Sequence, residues 1–239
     1  MSESFVIPAR FRGPPLSGNG GWTSGHLAQL VDGALDGAAV TVRLRTPPPL
    51  DTELEISRGD DGTVELWDGR TVVAQAFAAE PLDATEVPTP VTYQQAQAAG
   101  ATYEGLRSHP FPTCFTCGTE RDPADALCLQ TGLLAGHTTL RAAAWTPDES
   151  APELVWAALD CPGAWASGVA KREMVLATMT ASIRRLPIAG EPHVVMAWPR
   201  GQDGRKYYSG TCLYAAGGRL LAHAEAIWVS VDASTVRPA

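Results

Sequence analysis

Residues 14–35 read PPLSGNGGWTSGHLAQLVDGAL, a run of small residues that passes into a segment with helical periodicity. Leu27, Leu30, Val31, Ala34 and Leu35 fall at i, i+3, i+4, i+7 and i+8 and share one helical face. The spacing predicts a helix over residues 22–36, with Gly37 as its stop. Ahead of it stand Gly18, Asn19, Gly20, Gly21, Thr23, Ser24 and Gly25. Small residues let a ligand come close to the main chain. The first N–H groups of a helix have no intrahelical partner and carry partial positive charge. Such a loop can polarise a carbonyl or hold an anion. It can equally be an ordinary N-cap after a flexible loop.

The stretch has a distant echo. Moved along the chain so that Asn19 meets Asp160, it runs in register with DCPGAWASGVAKREMVLATMTASIRRLPIA. Identities are few, but the order of elements matches: small-residue loop, helix-like segment, strand ending near a proline. In the first half AAVTVRLR reads as a strand, because Val40, Val42 and Leu44 alternate with Thr41, Arg43 and Arg45. Three short strands follow, broken at residues 59–62 and at Asp68-Gly69. In the second half MTASIRRLP and the segment from His193 give four more, with turns at residues 201–204 and 217–218. A helix followed by an antiparallel meander, twice, is an α+β arrangement. Residues 86–113 lie between the halves, with TYQQAQAAGATYEGL as a short helix among prolines. The expected units are 1–100 and 101–239.

Composition narrows the function. The 239 residues are 45% hydrophobic with a net charge of −8. An acidic surface argues against nucleic acid, which needs a basic stripe. No apolar run approaches the ~18 residues of a membrane span, and MSESFVIPARFRG has no secretory pattern. Five cysteines, an odd number spread over a long chain, do not make a disulfide framework. The expectation is a reduced, cytoplasmic protein without a cofactor.

The Gly-containing loop, the helix and the wrapping antiparallel strands resemble the hotdog fold, and specifically the thioesterase-like hotdog proteins that act on acyl-CoA. In many of those the helix opens with His-Gly-Gly and carries an acid about two turns later in a Leu-x-Asp-x-Ala context. Here Thr23-Ser24-Gly25 stands in place of the first motif, and Asp32, in LVDGAL, in place of the acid. FPTCFTCGTERDPADALCLQTG, residues 111–132, is similar to a Cys-x-x-Cys-Gly segment that precedes the first strand of single-domain hotdog proteins. VWAALDCPGAWA resembles a strand-to-helix junction of actinobacterial ones. The resemblance implies two fused hotdog units, each a curved antiparallel sheet around a central helix, forming an intrachain pseudo-dimer. It further implies an acyl-CoA thioesterase or, as the alternative, a non-catalytic acyl-CoA binder, with homo-oligomers open to either. A hotdog dehydratase fits less well, because neither Asp32 nor Asp160 has a following His at that branch's spacing.

On this resemblance the catalytic acids are Asp32 and, in the matching register, Glu173. The carbonyl-polarising or substrate-binding residues are Asn19, Gly20, Gly21, Thr23, Ser24, Gly25, Asp160 and Cys161. The residues themselves admit plainer readings. Asp32 and Asp36 can face water, and Glu173 lies in the charged run KREM. Asn19 and Asp160 can cap helix starts, with Pro162 at the first turn of the second helix. There the pKa of Cys161 would fall. Cys114 and Cys117, with His109 nearby, supply too few ligands for a structural zinc unless Cys128 or His137 joins them. Free thiols packed in a turn are the favoured reading, and no metal is assigned. Trp22 and Trp165 are packing residues or the wall of an acyl pocket. Arg184, Arg185, Arg200, Arg205 and Lys206 are the candidates for CoA phosphates.

Overall fold

The computed structural model describes residues 3–236. Eleven strands form one sheet: β1 (Glu3–Val6), β2 (Val40–Leu44), β3 (Glu53–Arg58), β4 (Val64–Asp68), β5 (Thr71–Ala78), β6 (Gly132–Leu133), β7 (Arg141–Trp145), β8 (Met174–Ile183), β9 (His193–Asp203), β10 (Lys206–Ala215) and β11 (Leu220–Ser230). Their order is β1-β3-β4-β5-β2-β8-β11-β10-β9-β7-β6, and every pairing is antiparallel. Outward from the β2–β8 pair, the first half runs β2-β5-β4-β3-β1 and the second runs β8-β11-β10-β9-β7 before its short extra strand β6. At that seam Val40 pairs with Ala181, and the Thr41 and Thr180 hydroxyls are hydrogen-bonded at 2.8 Å.

Three α-helices accompany the sheet: α1 (Gly20–Ala28), α2 (Tyr93–Gly100) and α3 (Pro152–Ala166). α1 packs on strands of the first half, α3 on strands of the second, and the two helices pack against each other. Ala143, Val195 and Leu213 join the large core beneath α3. Their neighbours Ala142, Val194 and Cys212 face the other way and form a smaller core with Ala96 and Ala99 of α2. This is the two-residue alternation of a strand. α2 therefore covers the opposite face of the second half's strands. It opens with a capping box of Thr92 and Gln95. Among the described residues no helix is long and apolar enough to cross a membrane.

The structure revises both central helices. α1 ends at Ala28, not near residue 36. The chain turns at Gly33, whose φ of 77° glycine adopts without strain, and again at Gly37. Leu35, expected on the buried face, is exposed. α3 begins at Pro152, so Asp160, Cys161 and Pro162 lie inside a helix rather than at its start. All eleven residues Val155–Trp165 are buried, on every side of α3. A helix enclosed all round loses the amphipathic period by which helices are found, and VWAAL, expected as a strand leading into the helix, is part of α3 itself. β8 likewise starts at Met174, inside the segment expected to be helical. β1, β6 and β7 had no sequence counterpart.

Burial makes several histidines resist protonation, His193 among them. His193 is buried on β9 with Nδ1 2.8 Å from the Glu191 carbonyl, and burial lowers its pKa below 6.5. A lowered pKa means that the fold favours the neutral ring. That stabilisation is present above pH 6.5 and is lost as pH falls through the lowered value. His26, His109 and His223, also lowered by burial, act the same way, and Asp160, raised to about 7, acts oppositely. The part owed to His193 is therefore read as a difference: on His193→Gln the slope of melting temperature against pH between pH 7 and pH 5 should become less positive. An unchanged slope would remove His193 as its cause.

Candidate functional site

α1 and α3 approach so closely that glycine is required between them. A Cβ on Gly21 would lie 2.4 Å from Asp160 Cβ and 2.6 Å from the Trp156 carbonyl oxygen. One on Gly25 would lie 2.6 Å from Glu153 Cα and from Trp156 Cβ. α1 holds glycine at three of its nine positions, against an intrinsic penalty of up to about 1 kcal/mol each. Packing on α3, with the Asn19 cap, sustains so short and poor a helix. The Asn19 side chain accepts from the Trp22 N–H at 2.8 Å.

This contact builds the site. The Gly21 N–H, at the start of α1, donates to Asp160 Oδ2 at 2.9 Å. Asp160 is 2% exposed, and its second oxygen, Oδ1, has no hydrogen-bond partner. Burial, with the Cys114 thiol beside it, raises the pKa of this carboxyl to about 7, while the Gly21 N–H and the nearby Asn19 side-chain amide pull the other way. A buried carboxylate oxygen without a partner is expensive and calls for an explanation. The N–H of Gly20 also has no acceptor among the described residues.

Asp160 and Gly20 line a cavity of about 320 Å³. Its walls are chiefly apolar, with Leu44, Trp165, Met174, Leu176 and Trp228 among them. Arg45, exposed, lies on its rim. His109 lines it too, but its ring is occupied. Nδ1 accepts from the Phe111 N–H at 2.9 Å, which leaves Nε2 to donate to the Cys117 carbonyl at 3.0 Å. Burial keeps this imidazole neutral by lowering its pKa.

Three thiols complete the wall. Cys114 and Cys161, 47 residues apart in sequence, have sulfurs 3.6 Å apart. Cys117 joins them, with all three Sγ atoms within 4.8 Å of one another and all three residues buried. Asn19 Nδ2 lies 3.9 Å from the Cys114 sulfur and 3.8 Å from that of Cys161. Hydrogen bonds from Cys117 and Cys161 hold Cys114 well below the usual thiol range. The contact with Cys114 pushes Cys161 up, and burial pushes Cys117 up. The fall expected for Cys161 at a helix start is thus reversed, since no helix starts there.

The sequence-selected residues divide. Asn19, Gly20, Gly21, Asp160 and Cys161 come together at the α1–α3 crossing. Asn19 caps α1 as its residue type suggests, but Asp160 does not start a helix of its own: from the middle of α3 it accepts an N–H at the start of α1. The Cys161–Ala164 amides lie within α3 and offer no helix N-terminus. Thr23 and Ser24 are buried away from the cavity, and Gly25 serves the helix contact. Asp32 is exposed in the turn after α1, and Glu173 lies just ahead of β8; neither is among the residues lining the cavity. Trp165 forms part of the wall, whereas Trp22 stacks on Phe11 with ring centroids 4.1 Å apart.

Of the cations, Arg200 is held by Glu86 at 2.7 Å and by Glu225. Arg205 and Lys206 are exposed at the β9–β10 turn. Arg184 and Arg185 line a second cavity, of about 270 Å³, beside Gln29, Pro152 and Trp156. Cys128 and His137 are not in the thiol cluster; its third member, Cys161, was hidden by sequence distance.

No family model matches the chain, and no curated protein matches it by sequence. Solved structures do. A conserved protein of unknown function with a hotdog fold from Alicyclobacillus acidocaldarius superposes with a TM-score of 0.60 at 12% identity, covering 96% of this chain and 92% of that one. The acyl-CoA thioesterase II TesB2 of Mycobacterium marinum gives 0.56 at 13% identity, covering 93% and 92%. The tesB protein MAP1729c of Mycobacterium avium subspecies paratuberculosis gives 0.56 at 11%, covering 87% and 86%. The chain therefore has the hotdog fold.

Proposed function

We propose that the chain comprises two hotdog units, joined through the β2–β8 pair as an internal pseudo-dimer, and that the cavity at the α1–α3 crossing hydrolyses an acyl-CoA thioester. The common strand order of the two halves supports the first part. One observation carries the second: Asp160, buried, fixed through Oδ2 by the Gly21 N–H and left unpartnered at Oδ1, in an apolar cavity. The thioesterase names of similarly folded proteins point the same way.

The geometry supports a direct sequence of steps. The acyl chain lies along the apolar wall, and the thioester oxygen accepts from the Gly20 N–H at the positive end of α1. Oδ1 is closed to solvent in this structure, so a small shift of the side chain must admit a water, which attacks the carbonyl carbon while Oδ1 takes its proton. The tetrahedral intermediate then collapses, the C–S bond breaks, and the proton on Asp160 passes to the departing thiolate. The products are a carboxylic acid and free CoA. Arg45 on the rim is the cation placed to meet a CoA phosphate.

The second cavity lacks these parts. There α3 begins with Pro152, which has no N–H, after Ala151, which has no capping side chain. Gln29, on that cavity's wall, is bonded to Glu153 at 2.9 Å. The chain accordingly carries one hydrolytic site. Purified protein should release thiol from members of a panel of short, long and aromatic acyl-CoAs. No turnover of any of them, with CoA esters still raising the melting temperature, would leave a binding protein and overturn hydrolysis.

A further inference from the structure

We propose that Cys114, Cys117 and Cys161 form a binding site for a thiophilic d10 cation, zinc being the physiological case, with its fourth coordination position open to the cavity. The Cys-x-x-Cys pair alone is two ligands short of a structural zinc site. α3 supplies a third sulfur, and that changes the assignment. Zinc–thiolate bonds of about 2.3 Å in tetrahedral geometry put the sulfurs about 3.8 Å apart. Cys114 and Cys161 are already at 3.6 Å, and no pair in the cluster exceeds 4.8 Å. The ligand spheres thus close with side-chain adjustments of an ångström or less.

The surroundings suit a metal thiolate. Asn19 Nδ2 points its hydrogens at two of the three sulfurs, which orients them and offsets negative charge, as outer groups at metal sites do. The loop that carries Cys114 and Cys117 is held tightly. Gly118 N–H donates to the Cys114 carbonyl at 2.9 Å, and a Cβ on Gly118 would lie 2.5 Å from that oxygen. All three cysteines line the cavity, which gives the ion a path in and leaves room for a water or a thiol as fourth ligand. Binding needs all three sulfurs as thiolates and releases the protons they still hold, so affinity rises with pH.

The test uses reduced, full-length protein, stripped with a chelator and titrated with Zn²⁺ against a chromophoric competitor. A parallel titration with Cd²⁺ follows the sulfur-to-metal absorption band. The expected result is one ion per chain, the charge-transfer band, and a higher melting temperature. Cys161→Ser and Cys117→Ser should each weaken binding at least about 100-fold, more than loss of an outer group does. Cys128→Ser and Cys212→Ser, outside the cluster, should leave affinity unchanged. Circular dichroism on each variant separates lost ligation from lost folding. No binding tighter than micromolar, or full affinity in a folded Cys161→Ser protein, overturns the site.

Discussion

Asp160→Asn should lower thioester hydrolysis by about 10²–10⁴-fold, the usual contribution of a general base, while leaving the protein at least as stable as the parent at pH 8. The two effects have one cause. The carboxyl is buried, holds the Gly21 N–H through one oxygen and has nothing on the other. An asparagine keeps the shape, and its oxygen still accepts from Gly21, so the helix contact survives. It cannot take a proton from water, so the attacking nucleophile is lost. A neutral amide is also cheaper to bury than a carboxylate. A merely structural aspartate would behave otherwise, its replacement lowering stability and sparing turnover. Thiol release at saturating acyl-CoA, with urea unfolding of the same preparations, distinguishes these outcomes. Full activity in Asp160→Asn would end the catalytic assignment. Asp32→Asn, exposed and outside the cavity, should leave turnover near the parent's.

Gly21→Ala should destabilise the fold by about 1–3 kcal/mol, the range for overpacking a core, and Gly25→Ala by a similar amount. Helix propensity alone predicts the reverse, since alanine is favoured over glycine by up to about 1 kcal/mol. The contacts decide. The new methyl of Gly21→Ala would meet the Trp156 carbonyl and Ala157 Cα at 2.6 and 2.9 Å, backbone atoms of a helix that cannot swing aside. It would also meet Asp160 Cβ and shift the carboxylate, so activity should fall along with stability. Gly25→Ala strains the same pair of helices farther from Asp160 and should affect turnover less. Urea midpoints on the two variants measure the effect. A gain in stability from either would refute the close α1–α3 contact.

Much of the fold was legible because its signals are local. The alternation in AAVTVRLR marks β2, and Asp68-Gly69 and residues 217–218 mark hairpin turns between paired strands. The Gly-rich loop before α1 was also legible, and Asn19 and Gly21 do sit at the site. The carboxylate proposed as catalytic is harder to identify. The family-like acid Asp32 lies on an apolar-periodic run that leaves the helix at Ala28, since nothing local distinguishes a helix from a turn that happens to keep the period. Asp160 stands in register with Asn19, but Cys161-Pro162 after it imitates a helix start, so its place inside α3 is not legible locally.

By itself, then, the sequence determined a repeated helix-and-meander plan, the turns, the cap on α1 and the small residues at its start, all set by interactions among near neighbours in the chain. The tertiary structure alone decided which carboxylate meets the start of α1, that three cysteines from two distant segments meet, and that one end of the helix pair carries an unpartnered oxygen while the other does not. The physical reason is that these depend on how closely α1 and α3 pack. That closeness is set by glycines on one helix facing main chain on the other, a complementarity written in two parts of the sequence that only folding brings together.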